Sequence, residues 1–105
     1  MPCHPALLSA FLCFSLSLPP LCAQPFYFGA DLSYVNEMED CGVVYKEDGQ
    51  PKDPYQIFAG HNCNLVRLRL WHTPSWYDTL NAGHRYSGLA DVKRSIARAR
   101  GAGMA

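Results

Sequence analysis

The chain has 105 residues, nine Lys+Arg against nine Asp+Glu, 49% apolar residues and five cysteines. Zero formal net charge gives no general attraction to polyanions, which excludes a nucleic-acid binder, and the aliphatic and aromatic content excludes a disordered chain. The charges are unevenly placed, because residues 1–23 contain no Asp, Glu, Lys or Arg.

Ala6 to Leu18 is an apolar run of 13 residues followed by Pro19-Pro20 and Leu21-Cys22-Ala23. A membrane-spanning helix needs about 20 apolar residues, so this run is too short to span. Its length matches the hydrophobic centre of a secretory signal, with the small Ala23 at the cleavage point, although the start MPCHP lacks the usual basic residue. We therefore expect residues 1–23 to be a cleaved signal and residues 24–105 to be the exported part, secreted or periplasmic and free of the membrane after cleavage. Cys3, Cys13 and Cys22 leave with the signal, so Cys41 and Cys63 remain. They read either as a disulfide enclosing about 20 residues, worth about 3 kcal/mol in the chain-entropy model, or as two small buried apolar side chains. No CxxC spacing is present, and neither a metal site nor a cofactor is expected.

The exported part reads as alternating strand and helix. Phe26 to Asp31 is a short aromatic-rich strand ending in a carboxylate, with Ser33 just beyond it. Residues 37–53, charged and broken by Gly42, Gly49 and Pro51, read as an irregular connection. Asp53-Pro54 marks a helix start, since Asp caps free amides and Pro suits the first helical position. Ile57 and Phe58 are expected on its apolar face, and Gly60-His61-Asn62 ends it. Asn64 to Trp71 is the clearest strand, with Val66, Leu68 and Leu70 on one face and Arg67, Arg69 and Trp71 on the other. An aromatic loop from His72 to Tyr86 contains Trp76 and Tyr77. Ser87 then caps a helix with Leu89, Val92, Ile96, Ala99 and Gly103 as its apolar stripe and Lys93, Arg94, Arg98 and Arg100 as a solvated face. A third strand is due at residues 101–105.

This order implies parallel strands joined by crossovers. Two βα units cannot close an α/β fold, because a (β/α)8 barrel takes about 250 residues. The chain therefore reads as the N-terminal quarter to third of a larger protein, with an open strand edge of its own. In barrels the chemistry gathers at strand C-terminal ends. Asp31 with Ser33, Arg67 with Arg69 and Trp71, and the Trp76–Tyr86 loop fall there. Arg67 reads either as a barrel-facing cation held by carboxylates or as a structural ion pair. Trp76 and Tyr77 read either as rim cover or as a stacking platform for sugar rings.

The runs GADLSYVNEMEDCGVVY, QIFAGHNCNLVRLRLWHTPSWYD and LADVKRSIARARGAGM resemble glycoside hydrolase family 53, the endo-β-1,4-galactanases, over residues 26–104. The resemblance implies a (β/α)8 TIM barrel of the retaining glycosidases, of which about the first two βα units are present. It implies a polysaccharide substrate, β-1,4-galactan of pectin side chains, no nucleic-acid partner, and a monomer when full length. It makes Arg67 the active-site arginine that orients the nucleophilic carboxylate and Asp31 a residue of the active-site wall; Ser33, Trp71, Trp76 and Tyr77, from the strand ends and the aromatic loop, are expected to bind substrate. Retaining hydrolysis needs two carboxyl groups about 5–5.5 Å apart. In the family these are glutamates at the ends of strands four and seven, which lie beyond residue 105. The chain is therefore expected to be inactive alone. The alternative is a secreted, non-catalytic carbohydrate-binding or interaction fragment.

Overall fold

The computed structural model describes residues 23–105. The signal assigned to residues 1–23 lies outside them except for Ala23, as do Cys3, Cys13 and Cys22. In chain order the elements are β1 (Gly29–Asp31), α1 (Val35–Asp40), β2 (Lys46–Glu47), β3 (Gln50–Pro51), α2 (Pro54–Gly60), β4 (Leu65–Arg67), a 3-10 turn at Asn81–Gly83, and α3 (Leu89–Gly101).

Strands β1 and β4 pair in parallel, with Gly29 opposite Leu65, Ala30 opposite Val66 and Asp31 opposite Arg67. Gly29 permits this approach, since a Cβ there would meet the Leu65 carbonyl oxygen at 3.0 Å. On the other side of β4, Ala105 N–H donates to the Asn64 carbonyl (3.0 Å) and Val66 N–H donates to the Ala105 carbonyl (2.8 Å). One residue bonding to both neighbours of its partner is the hydrogen-bond pattern of a parallel pair, and it is confined here to Ala105; the described residues form no third strand in this sheet.

Both expected strands are shorter than their sequence patterns. Phe26 to Phe28 precede β1: the Phe28 carbonyl accepts from Asn64 N–H (2.9 Å) and Leu65 N–H (3.3 Å), and the Asn64 side chain holds the rest. Asn64 accepts from Phe28 N–H at 2.9 Å and donates to the Phe26 carbonyl at 2.7 Å. At the far end β4 stops at Arg67, and Leu70, expected to face inward, is exposed where the chain diverges from its neighbour.

The stretch 37–53 is not irregular. It holds the last turn of α1 and a hairpin whose two-residue loop, Asp48-Gly49, has positive φ at both positions (49° and 78°). Both angles suit the type I′ turn that matches strand twist, and Asp-Gly is a favoured sequence for it. Glu47 in the hairpin pairs with Lys52 and accepts from His61 Nε2 at 2.8 Å, tying the hairpin to the end of α2. These hydrogen bonds, Lys52 first, hold its carboxyl below the ordinary carboxylate range.

The start of α2 follows its sequence: Asp53 Oδ1 accepts from Tyr55 N–H at 2.8 Å, and Pro54 occupies the first turn. Its buried face is Pro54 and Tyr55, not Ile57 and Phe58. Tyr55 and Ala59, one turn apart, face the core, which leaves Phe58 turned outward. The core unites Leu32, Val35, Tyr55, Cys63, Ala99 and Met104 with the sheet residues Ala30 and Val66 and with Leu68 beyond β4. It therefore lies on the helix-covered face of the sheet.

Helix α3 differs from its expected cap and stripe. Gly88, not Ser87, is the N-cap, and Asp91 reaches back to accept from Ser87 N–H at 2.7 Å. Leu89 and Ile96 are exposed, whereas Ser95 and Ala99 are buried. The cause is a polar contact. Asn36 of α1, 1% exposed, donates to Asp91 Oδ1 (2.7 Å) and Ser95 Oγ (2.9 Å), turning that face of α3 inward. Arg98, expected in solvent, completes this cluster. Its guanidinium makes two bonds to Glu39 (2.6 and 3.0 Å), donates to Asn36 Oδ1 (2.9 Å) and lies 3.1 Å from Asp53 Oδ2. It also stacks 4.6 Å over the Tyr55 ring. The Glu39 hydrogen bonds, then Asp53, raise its pKa against the opposing effect of burial. The Tyr55 hydroxyl is buried without a well-formed hydrogen bond, and burial raises its pKa.

Cys41 and Cys63 are both free thiols. Cys41 is exposed at the end of α1, while Cys63 is buried and donates to the Leu65 carbonyl at 3.4 Å. The disulfide is thus not formed, and only Cys63 fills the role of a small core residue.

Arg98→Ala should strip three helices of their shared cation and leave Glu39 and Asp53 facing each other. With the cluster partly open to solvent, a loss of about 2 kcal/mol is expected. Arg98→Lys should recover less than half, because an ammonium cannot reproduce the planar fork. Urea denaturation of the full chain checks this as a lowered midpoint with unchanged slope.

Candidate functional site

Parallel pairing brings the C-terminal ends of β1 and β4 together, and the sequence places charge at both. Asp31 and Arg67 are register partners with the same strand parity, on the face opposite Ala30 and Val66. Arg67 Nη1 lies 3.2 Å from Asp31 Oδ2. The other carboxylate oxygen, Oδ1, accepts from Ser33 N–H at 3.0 Å and from Ser33 Oγ at 2.5 Å. These two Ser33 bonds, followed by the charges of Arg67 and Arg69, hold the Asp31 carboxyl below its ordinary value.

Ser33 is buried at 5% exposure, and its oxygen also accepts from Arg69 N–H at 2.8 Å. The hydroxyl is therefore occupied within the protein and does not face an open surface. Arg69 leaves Arg67's company at the side-chain level. Its guanidinium donates to the Tyr34 hydroxyl and lies between two rings, 5.1 Å from Tyr34 and 5.5 Å from Trp71.

The loop after β4 supplies an aromatic wall. Trp71 and Trp76 meet edge to face at 5.5 Å, and Trp76 stacks on Tyr77 at 5.7 Å. Such pairs hold geometry by ring quadrupoles as well as by burial. Trp71 and Trp76 are exposed, but Tyr77 is buried and donates to the Tyr86 carbonyl at 2.9 Å. Burial raises the Tyr77 hydroxyl pKa. Gly88 makes room for that hydroxyl, since a Cβ there would come within 2.5 Å of it. Tyr77 thus backs Trp76 instead of offering a surface itself. Tyr86 donates to Asp40 at 3.1 Å and ties the loop to α1. A hollow of about 260 Å³ results, lined by Tyr34, Glu37, Trp71, Trp76, Leu80 and Tyr86.

The structure therefore brings together Asp31, Ser33 and Arg67, and next to them Arg69, Trp71 and Trp76. Tyr34, Glu37 and Tyr86 were not singled out from the sequence. Tyr34 directly follows G-x-D-x-S, and that adjacency to a strand-end carboxylate was the available signal. Among the described residues, no three His, Cys, Asp or Glu side chains converge as metal ligands, and no helix is long and apolar enough to cross a membrane.

Residues 27–105 match the family model described as Glycosyl hydrolase family 53. Over 80 residues the chain is 51% identical to an arabinogalactan endo-beta-1,4-galactanase of Cellvibrio japonicus, covering 76% of this chain and 19% of that protein. It is 41% identical over 59 residues to a probable arabinogalactan endo-beta-1,4-galactanase A of Aspergillus terreus, covering 55% of this chain and 17% of that one. An uncharacterized protein of Niallia circulans is 28% identical over 78 residues, covering 73% and 18% respectively. The chain thus spans about a fifth of the length of these relatives.

Asp31 has a folded-state pKa below its ordinary 3.8, so its ionised form stabilises the fold above that value. That contribution is lost as pH falls through the folded-state value. Asp31→Asn should lower the denaturation midpoint at neutral pH. Wild type and variant should converge once the pH drops well below 3.8. Urea midpoints measured across the acid range check this, and parallel curves without convergence would contradict it.

Proposed function

Because the chain belongs to glycosyl hydrolase family 53, a family of TIM-barrel glycosidases, we propose that the whole protein is an endo-acting hydrolase. It cleaves β-1,4-galactosidic bonds in (arabino)galactan with retention of configuration. Similarity to two proteins bearing galactanase names supports the substrate class. The observation that carries the reading is the Asp31–Arg67 pair at adjacent strand ends, on the face away from the helices. In a barrel that face is the interior, and the strand C-terminal end is where chemistry occurs.

Arg67 acts as the active-site arginine. It keeps the nucleophilic glutamate ionised and aimed at the anomeric carbon, since a cation within about 4–6 Å favours a carboxylate's charged form. Asp31 supports Arg67 from behind. Trp71 and Trp76 present ring faces to the apolar C–H faces of galactose units, while polar contacts set the sugar's orientation. Hydrolysis itself requires an acid/base and a nucleophilic carboxyl about 5–5.5 Å apart. Among the described residues Asp31 is the carboxylate at the C-terminal ends of the parallel pair β1 and β4, and it is committed to Ser33 and Arg67. The catalytic glutamates therefore belong to later strands of the barrel, and residues 1–105 by themselves are inactive. The protein works outside the cell or in the periplasm as a monomer, where the polymer is accessible.

The full-length protein should release reducing sugar from β-1,4-galactan, whereas residues 24–105 expressed alone should not exceed a buffer blank. In the full-length protein, Arg67→Ala should lower kcat by about 100-fold or more through lost positioning. Arg67→Lys should be nearly as damaging, because it keeps charge without the two-pronged geometry. Steady-state kinetics decide: near-normal turnover in Arg67→Ala alongside a silent Arg69→Ala would move the role to Arg69.

A further inference from the structure

The structure assigns Ser33 as a positioning residue that clamps Asp31 to the backbone just beyond β4, so that Asp31 presents a single oxygen to Arg67. The inference rests, for its kinetic half, on the galactanase reading above. It replaces the expectation that Ser33 binds substrate.

The geometry follows from the ladder. Register places Ser33 two steps after Asp31 and therefore opposite Arg69, two steps after Arg67. The last backbone rung is Leu32 N–H to the Arg67 carbonyl at 3.2 Å, after which the chain turns into Tyr34 and α1. At that point the Ser33 hydroxyl takes the place of a backbone acceptor. It receives Arg69 N–H at 2.8 Å and passes its own proton to Asp31 Oδ1 at 2.5 Å. A hydroxyl has one proton to donate, and here it is donated to Asp31. Asp31 Oδ1 thus receives two donors from Ser33, which leaves Oδ2 for Arg67. Buried at 5% exposure, Ser33 cannot turn this bond over to water without a local opening.

The charged groups facing Asp31 are Arg67 on β4 and Arg69 just beyond it, both cationic, with Ser33 the hydrogen-bond donor from its own side. Removing the hydroxyl strips one donor from the ionised carboxylate and frees it to rotate. Arg67 then loses a fixed anchor on its rear side. The loss falls on a step that needs its orientation, not on the aromatic contacts that bind the polymer, so kcat suffers and KM does not.

The test compares the full-length wild type with Ser33→Ala and Asp31→Asn, using two readouts. One is the pH titration of the Asp31 carboxyl carbon followed by NMR, assigned by its absence in Asp31→Asn. The other is the kinetics on β-1,4-galactan. In Ser33→Ala the Asp31 titration should move to higher pH, and kcat should fall about tenfold with KM held. Ser33→Thr, which keeps the hydroxyl, should restore both. An unmoved Asp31 titration in Ser33→Ala would overturn the clamp. A moved titration with unchanged kcat would overturn its positioning role. If wild type leaves galactan intact while the titration still moves, the galactanase reading fails and the clamp stands.

Discussion

Parallel pairing of β1 with β4 is the constraint from which the remaining geometry follows. Two parallel strands cannot be joined by a tight turn, so the chain must cross over one face and return. That crossover carries α1, the hairpin and α2, and it covers the face bearing Ala30 and Val66. The register then sets Asp31 beside Arg67 on the other face, at the same end of both strands. A slip of β4 by one residue would send Arg67 into the apolar layer and leave Asp31 without it, and an unpaired ion is costly to bury. The same register favours glycine at position 29, where a Cβ would crowd the Leu65 carbonyl oxygen.

The helical layer is held by charge as well as by apolar contact. Asn36, Ser95, Asp91, Arg98, Glu39 and Asp53 join α1, α3 and the start of α2. Taking such groups from water is unfavourable unless their hydrogen-bonding capacity is met, and here the side-chain atoms satisfy one another. The bidentate Arg98–Glu39 contact adds direction that aliphatic packing lacks. This orients α3 so that its last turn delivers Met104 to the core and Ala105 to the edge of β4. The polar cluster on the outer layer therefore bears on how Ala105 meets the edge of β4.

At the strand ends, two layers of support can be separated by exposure. Arg67, Trp71 and Trp76 are open, whereas Ser33 and Tyr77 behind them are buried and fully engaged. Tyr77 stacks on Trp76, and Ser33 is linked to Arg67 only through Asp31, which it hydrogen-bonds. Irregular backbone between residues 68 and 88 is thereby given a defined shape without regular structure, anchored by Trp71 N–H to the Ser87 carbonyl and by Tyr86 to Asp40.

Sequence alone determined the features governed by neighbouring residues. Asp53-Pro54 opens α2 because a cap and a pre-set φ act within one turn, and Val66 and Arg67 take opposite faces because strand side chains alternate. The family motifs, the parallel order and the strand-end placement of Asp31 and Arg67 were likewise legible. The Asp48-Gly49 turn signal also lies in the sequence, but the charge around it makes 37–53 read as an irregular connection, and the hairpin emerges only in the structure. Tertiary structure alone decided what depends on partners far along the chain. Arg98 looks like any solvated helix residue until Glu39 and Asp53 are brought to it, and the buried stripe of α3 is rotated because Asn36, 59 residues before Ser95, needs its hydrogen bonds met. The Ser33 hydroxyl reads as an open donor at a strand end until Asp31 and Arg69 N–H are brought to it. Periodicity records apolar preference along one element. It carries no record of which distant polar group must be satisfied, and that requirement set the orientation of the helices and the roles of the buried residues.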